Sequence, residues 1–110
     1  MANTFYRKIS RNIGNVAVSA GSYTVGSSTT TIVLGLTICN TTAAAVSASC
    51  YLYDGANAHY LVSGAPIPGG GSLVVVGGDQ KLVLQTGDSV RIISDSASSL
   101  DVIMSVMEIT

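Results

Sequence analysis

Three short runs of β-branched residues and leucine, Leu73 to Val76, Leu82 to Leu84 and Val90 to Ile93, are parted by Gly77-Gly78-Asp79 and by Thr86-Gly87-Asp88. Runs this short do not sustain helices. Glycine allows positive φ where a chain reverses, and aspartate hydrogen-bonds its own backbone in a turn, so the stretch predicts consecutive antiparallel strands, an all-β meander. Pro66 and Pro68 lack the N–H a sheet ladder needs, which makes the segment before Ser72 an edge or a crossover.

The rest of the chain carries the same signal. From Thr30 to Cys39 the alternation sets Ile32, Leu34, Leu36 and Ile38 against Thr31, Val33, Gly35 and Thr37, as in a central strand. Val46 to Tyr53 sets Val46, Ala48, Cys50 and Leu52 against Ser47, Ser49, Tyr51 and Tyr53, one dry face and one wetter face. Asp54-Gly55 is a tight-turn dipeptide, and Ala58 to Val62 returns as a strand. Val16 to Ala20 and Tyr23 to Val25, parted by Gly21-Ser22, predict a first strand with a kink or bulge. Asp101 to Ile109 mixes apolar residues onto both faces, the pattern of a strand covered on both sides. The sum is about eight strands with turns roughly every 8 to 12 residues. The expected fold is therefore an all-β, single-domain antiparallel β-sandwich, jelly-roll or Ig-like, with a closed barrel as the alternative. At 110 residues it forms one domain, expected as residues 16–110 behind an N-terminal arm of residues 1–15. In that arm Phe5, Ile9 and Ile13 would share one face of a short helix or anchor an extended segment.

Composition bears on function. Charged residues make up 10% of the chain, against roughly 25% in ordinary soluble domains. Such a surface suits a subunit packed among copies of itself or on a scaffold. The net charge of −1 is unevenly spread: Arg7, Lys8 and Arg11 lie in a stretch without acids, and the body holds Asp54, Asp79, Asp88, Asp95, Asp101 and Glu108 against Lys81 and Arg91. A basic arm on an acidic body can dock on an acidic neighbour. No apolar run approaches the ~18 residues of a bilayer span, and polar residues interrupt any signal-peptide core, so a cytoplasmic folding site is expected. Cys39 and Cys50 are then expected reduced, with a disulfide across a hairpin as the alternative.

A search for chemistry is negative. His59 is the single histidine, in a strand, and Gly-x-Ser-x-Gly is absent. Gly77-Gly78-Asp79-Gln80-Lys81 lacks Walker spacing and opens a strand, so it holds no phosphate. Two cysteines with one histidine form no metal pattern, and the aspartates lack Asp-x-Asp spacing for calcium. Neither a cofactor nor catalysis is expected. Tyr51, Tyr53 and Tyr60 sit on strands without Lys or Arg, which argues against specific nucleic-acid binding and leaves glycan or protein contact open.

Ala65-Pro66-Ile67-Pro68 with Gly70-Gly71-Ser72-Leu73, then Gly77-Gly78-Asp79-Gln80-Lys81-Leu82-Val83-Leu84 with Gly87-Asp88, and the ending Ser105-Val106-Met107-Glu108-Ile109, resemble small virion structural proteins of tailed bacteriophages, especially those infecting cyanobacteria. The resemblance runs from Met1-Ala2-Asn3-Thr4-Phe5 to the end of the chain and implies a virion location, with assembly in the host cytoplasm. The expectation is a non-enzymatic capsid decoration or cement protein that binds the major capsid protein in many copies. Its homo-oligomer would be of a kind such as a trimer at a shell symmetry axis. Phe5, Tyr6, Arg7 and Arg11 are the expected partner-binding residues. A neck, tail or fibre-associated subunit, with the tyrosines facing a host glycan, is the alternative.

Overall fold

The computed structural model describes residues 3–77 and 79–110. Nine strands appear, β1 Asn3–Ile13, β2 Val18–Ser19, β3 Thr30–Asn40, β4 Val46–Tyr53, β5 Ala58–Ile67, β6 Ser72–Val76, β7 Leu82–Leu84, β8 Ser89–Ser94 and β9 Leu100–Ile109, with a single 3-10 turn at Ala20–Ser22 and no α-helix among the described residues. They form two antiparallel sheets. The first has the order β1-β9-β3-β6, with β7 also on β3; the second has the order β2-β8-β4-β5.

This corrects the meander. β6 pairs with Leu36–Cys39 of β3 and β7 with Thr31–Val33, so the two lie end to end along one edge of β3 as a single interrupted strand. The chain does not reverse at Gly77–Lys81. β8 then crosses to the other sheet, between β2 and β4. With β6 and β7 counted as one position, eight positions are shared between two four-stranded sheets, the chain changing sheet at every connection except the β4–β5 hairpin, the jelly-roll arrangement of two Greek keys. Gly78, part of the turn read from sequence, lies outside the described residues, as do Met1 and Ala2.

The inner faces meet over one apolar core. Val33, Leu36 and Ile38 of β3, Val102, Met104 and Val106 of β9, Val46, Ala48 and Cys50 of β4, and Val90 and Ile92 of β8 are buried. The β4 alternation is thus as read. That of β3 is not: a register shift between Val33 and Gly35 puts Thr31 and Val33 inside with Leu36 and Ile38, and Ile32 outside. A bulge inserts one residue and inverts the pattern beyond it. Pro66 pairs with Ser47 on β5, an edge strand, where the missing N–H costs no ladder bond. The kink at Gly21-Ser22 is the 3-10 turn, and the strand before it shrinks to two residues.

The segment expected as an arm is, over Asn3–Ile13, an edge strand in register with β9 from Asn3↔Ile109 to Ser10↔Val102; it makes no helical turn. Buried Asn40 ties the sheet ends together. Its Nδ2 donates to the carbonyls of Ala44 (2.8 Å) and Ile67 (3.0 Å), and its Oδ1 accepts from Thr42 N (2.9 Å) and Thr42 Oγ1 (2.7 Å).

Candidate interaction surface

Paired residues of an antiparallel ladder point to the same side, so the register lists what the outer face of the first sheet presents. One row runs Phe5↔Met107↔Ile32↔Val83 across β1, β9, β3 and β7. A second runs Ile9↔Ile103↔Thr37↔Val74 across β1, β9, β3 and β6. Between them lies Arg7↔Ser105↔Gly35. Phe5 is 69% exposed, Val74 63%, Ile103 59%, Val83 55% and Ile9 51%. The pattern that predicted an Asp101–Ile109 strand covered on both sides is half realised: Leu100, Val102, Met104 and Val106 are buried, and Ile103 faces solvent.

Of the residues expected to bind a partner, Phe5 and Arg7 belong to this face. Tyr6 pairs with Val106, whose side chain is buried, and so points the other way. It lies beneath the Lys8 amine, 4.9 Å from the ring centroid, and the same amine is 4.5 Å from the Tyr23 ring. Arg11 lines a shallow groove with Arg7, Ile9, Asp101 and Ile103, which returns it to the same end of the face. Neither Arg7 nor Arg11 has an ion pair among the described residues. Ile9 was singled out with Phe5 as an anchor of an extended segment; Val74 and Val83 were not foreseen, and only the two-faced apolar pattern of Asp101 to Ile109 hinted at Ile103.

Beneath β1, the Tyr23 hydroxyl donates to Glu108 Oε2 and lies 2.7 Å from Thr31 Oγ1. Burial, with the Glu108 hydrogen bond, pushes the phenol up to about 12.

The outer face of the second sheet carries the tyrosines. Tyr51 pairs with Tyr60 on one side and Arg91 on the other. The Tyr51 and Tyr60 rings lie 5.0 Å apart, and the Arg91 guanidinium sits 4.0 Å over the Tyr53 ring, with its Nε buried and unpartnered among the described residues. β8 thus supplies a cation that the tyrosine-bearing strands lack, a juxtaposition only the fold reveals.

His59 Nε2 lies 3.0 Å from Asp54 Oδ2 on the exposed β4–β5 turn. Asp54 Oδ1 accepts from Ala56 N (2.9 Å) and Asn57 N (2.7 Å). The Asn57 amide first, then His59, holds this carboxyl down at about 2. The pair closes a turn, and no hydroxyl hydrogen-bonds His59 among the described residues. Asp88, Asp95 and Asp101 likewise accept from Gln85 N, Ser47 N and Asn12 N. No group of three potential metal ligands converges among the described residues. Both cysteines are free thiols. Cys50 is buried, which pushes it up to about 12, and Cys39 is partly exposed on the other sheet. No helix among the described residues is long and apolar enough to cross a membrane.

No family model and no curated protein sequence matches the chain. Solved structures do. A chain in the acid-stable capsid of Helicobacter pylori bacteriophage KHP30 matches with a TM-score of 0.58 and 8% identity, over 100% of this chain and 94% of that one. VP2 of the infectious bursal disease virus subviral particle matches with a TM-score of 0.55 and 13% identity, over 96% of this chain; the likeness takes in 32% of the VP2 chain. A Bacillus endospore appendage protein matches at 0.48 with 16% identity, over 100% of this chain and 91% of that one. At these identities the likeness is one of fold.

Proposed function

We propose that this chain is a non-enzymatic structural subunit of a phage virion, and that it decorates or cements the head shell by binding the major capsid protein in many copies, itself as a homo-oligomer. The outer face of the first sheet carries this reading. Two apolar rows cross four strands in open solvent on a chain that is only 10% charged, an arrangement costly to a free monomer and useful to a packed one. Strand spacing of ~4.8 Å and a rise of ~3.3 Å per residue give the four strands between the two rows roughly 300 Å² in projection. A standard interface takes ~800 Å² per partner, so the face would need neighbouring residues of β1 to complete it. Phe5 and Arg7 already belong to the face, Arg11 extends it at one end, and Tyr6, 45% exposed on the opposite side of β1, would add to it only where a partner wraps the edge. The KHP30 likeness supports the reading, since a phage capsid holds a chain of nearly this length with this fold.

Catalysis has little to work with: the single histidine is spent on an exposed turn. Cryo-electron microscopy of the source particles, with copy number by mass spectrometry, tests the proposal. On the order of hundreds of copies on the head supports decoration, whereas about a dozen or fewer at the neck or tail overturns it. The neck, tail or fibre reading keeps one favourable observation, the Tyr51–Tyr60 pair beside Arg91, which is the kind of surface that stacks sugars. A glycan array with the purified protein tests that branch.

A further inference from the structure

The molecule has four sheet edges, and three are blunted in the ways that prevent strand pairing. β2 is two residues long. β5 has register shifts, Gly64 at φ 63° and Pro66. The β6–β7 edge breaks between Val76 and Leu82. β1 is different, pairing with β9 from Asn3 to Ser10 without a shift and having, among the described residues, no strand on its other side. The 3-10 turn meets it at Lys8–Ser10, where Gly21 N donates to Ser10 Oγ (2.8 Å) and a Cβ on Gly21 would fall 2.6 Å from that of Lys8, and Asn3 to Arg7 are exposed. Asn3–Arg7 keeps an open edge. Basic side chains alone would read as protection against aggregation, but a protected edge does not also expose Phe5 and Ile9.

We infer that β1 is a strand-addition site for an extended segment of a partner protein whose outer-face side chains, at every second residue, alternate apolar and acidic. The alternation follows from β1 itself: Phe5, Arg7 and Ile9 point to one face, with Arg11 at its end. Lys8 is committed to the Tyr6 and Tyr23 rings, whereas Arg7 and Arg11 carry unpaired charge. Main-chain bonds along Asn3–Arg7 would supply affinity; a carboxylate on the paired stretch at Arg7, and a second on the unpaired end that runs on over the outer face towards Arg11, would select the segment. A second copy of β1 does not meet the requirement. No acid occurs from Asn3 to Ile13, so twofold self-pairing would set cation against cation.

The inference rests on the docking role proposed for this face and is separable from it by experiment. The full chain is titrated with a fluorescent peptide, Val-Thr-Glu-Thr-Val-Thr-Glu-Thr, and with its counterpart carrying lysine for glutamate, while amide exchange is followed by NMR. Binding of the glutamate peptide alone, with new protection confined to residues 3–7, is expected. Arg7→Glu with Arg11→Glu should weaken that binding roughly two- to thirtyfold and create affinity for the lysine peptide. The inference is overturned if neither peptide binds, if both bind equally, if protection appears elsewhere, or if the free protein dimerises through β1. Peptide failure with decoration of particles intact removes strand addition alone; peptide binding without decoration removes the shell role.

Discussion

Asn40 shows how one side chain settles where two loops go. Its Oδ1 holds Thr42 of the β3–β4 loop, and its Nδ2 bridges that loop, at Ala44, to the end of β5 and the crossover beyond it, at Ile67, from a side chain wholly out of water. Asn40→Ala leaves these partners unsatisfied and should cost about 2–4 kcal/mol in urea unfolding, since each orphaned buried group costs about 1–3. Asn40→Asp should be no better, because a carboxylate cannot donate to the Ala44 and Ile67 carbonyls. Tyr23 and Cys50 set the alkaline limit. Both ionise in the unfolded chain at lower pH than in the folded one, where each is held up to about 12. The unfolded state therefore binds fewer protons from about pH 9 upward, and stability should fall progressively from there to pH 12. Tyr23→Phe should flatten the part of that slope above pH 10 in unfolding curves taken at pH 9, 10 and 11. The two thiols should also separate by labelling: Cys39 reacts in the native protein, and Cys50 reacts only on unfolding.

At the scale of the element, legibility depended on whether a strand obeyed its own period. β4 did, and Val46, Ala48 and Cys50 could be placed inside from sequence. β3 did not, because the irregularity at Val33–Gly35 exchanges its faces partway; Gly35, a glycine inside a strand, is the one local sign of a bulge there, and the alternation alone reads straight through it. The glycines after Val76 marked a break correctly but not its kind. Whether a chain reverses or resumes its line depends on what lies alongside, here β3, which accepts both β6 and β7. Phe5, Arg7, Ile9 and Arg11 stood out in the sequence as a basic, apolar segment, and the register sets Phe5, Arg7 and Ile9 on one face. Val74 and Val83 sit in apolar runs too short to show which side faces out, and Arg91 gave no sign that it would lie over Tyr53. Close approach supplies a further test. A Cβ on Gly69 would fall 2.3 Å from the Ala43 carbonyl oxygen, so Gly69→Ala should destabilise by about 1–3 kcal/mol by forcing the two loops apart, measurable as a drop in Tm.

For the whole molecule, the inner and outer faces of the first sheet should respond oppositely to substitution. Leu36→Ala, in the core, should cost about 2–5 kcal/mol. Ile103→Asp, on the open face, should change stability by about 0.5 kcal/mol or less and still abolish attachment to particles. Equal stability losses in the two variants would mean that the outer rows serve the fold and not a partner.

The outer rows are woven from strands far apart in the chain: β1 comes from one extremity, β9 from the other, and β3, β6 and β7 from between. β9 is the seam of that weave: until it slots between β1 and β3 the rows have no common register, and the apolar residues of β3 lie bare. Docking geometry and core are completed in one stroke, so a partner that recognises the rows recognises only the finished fold.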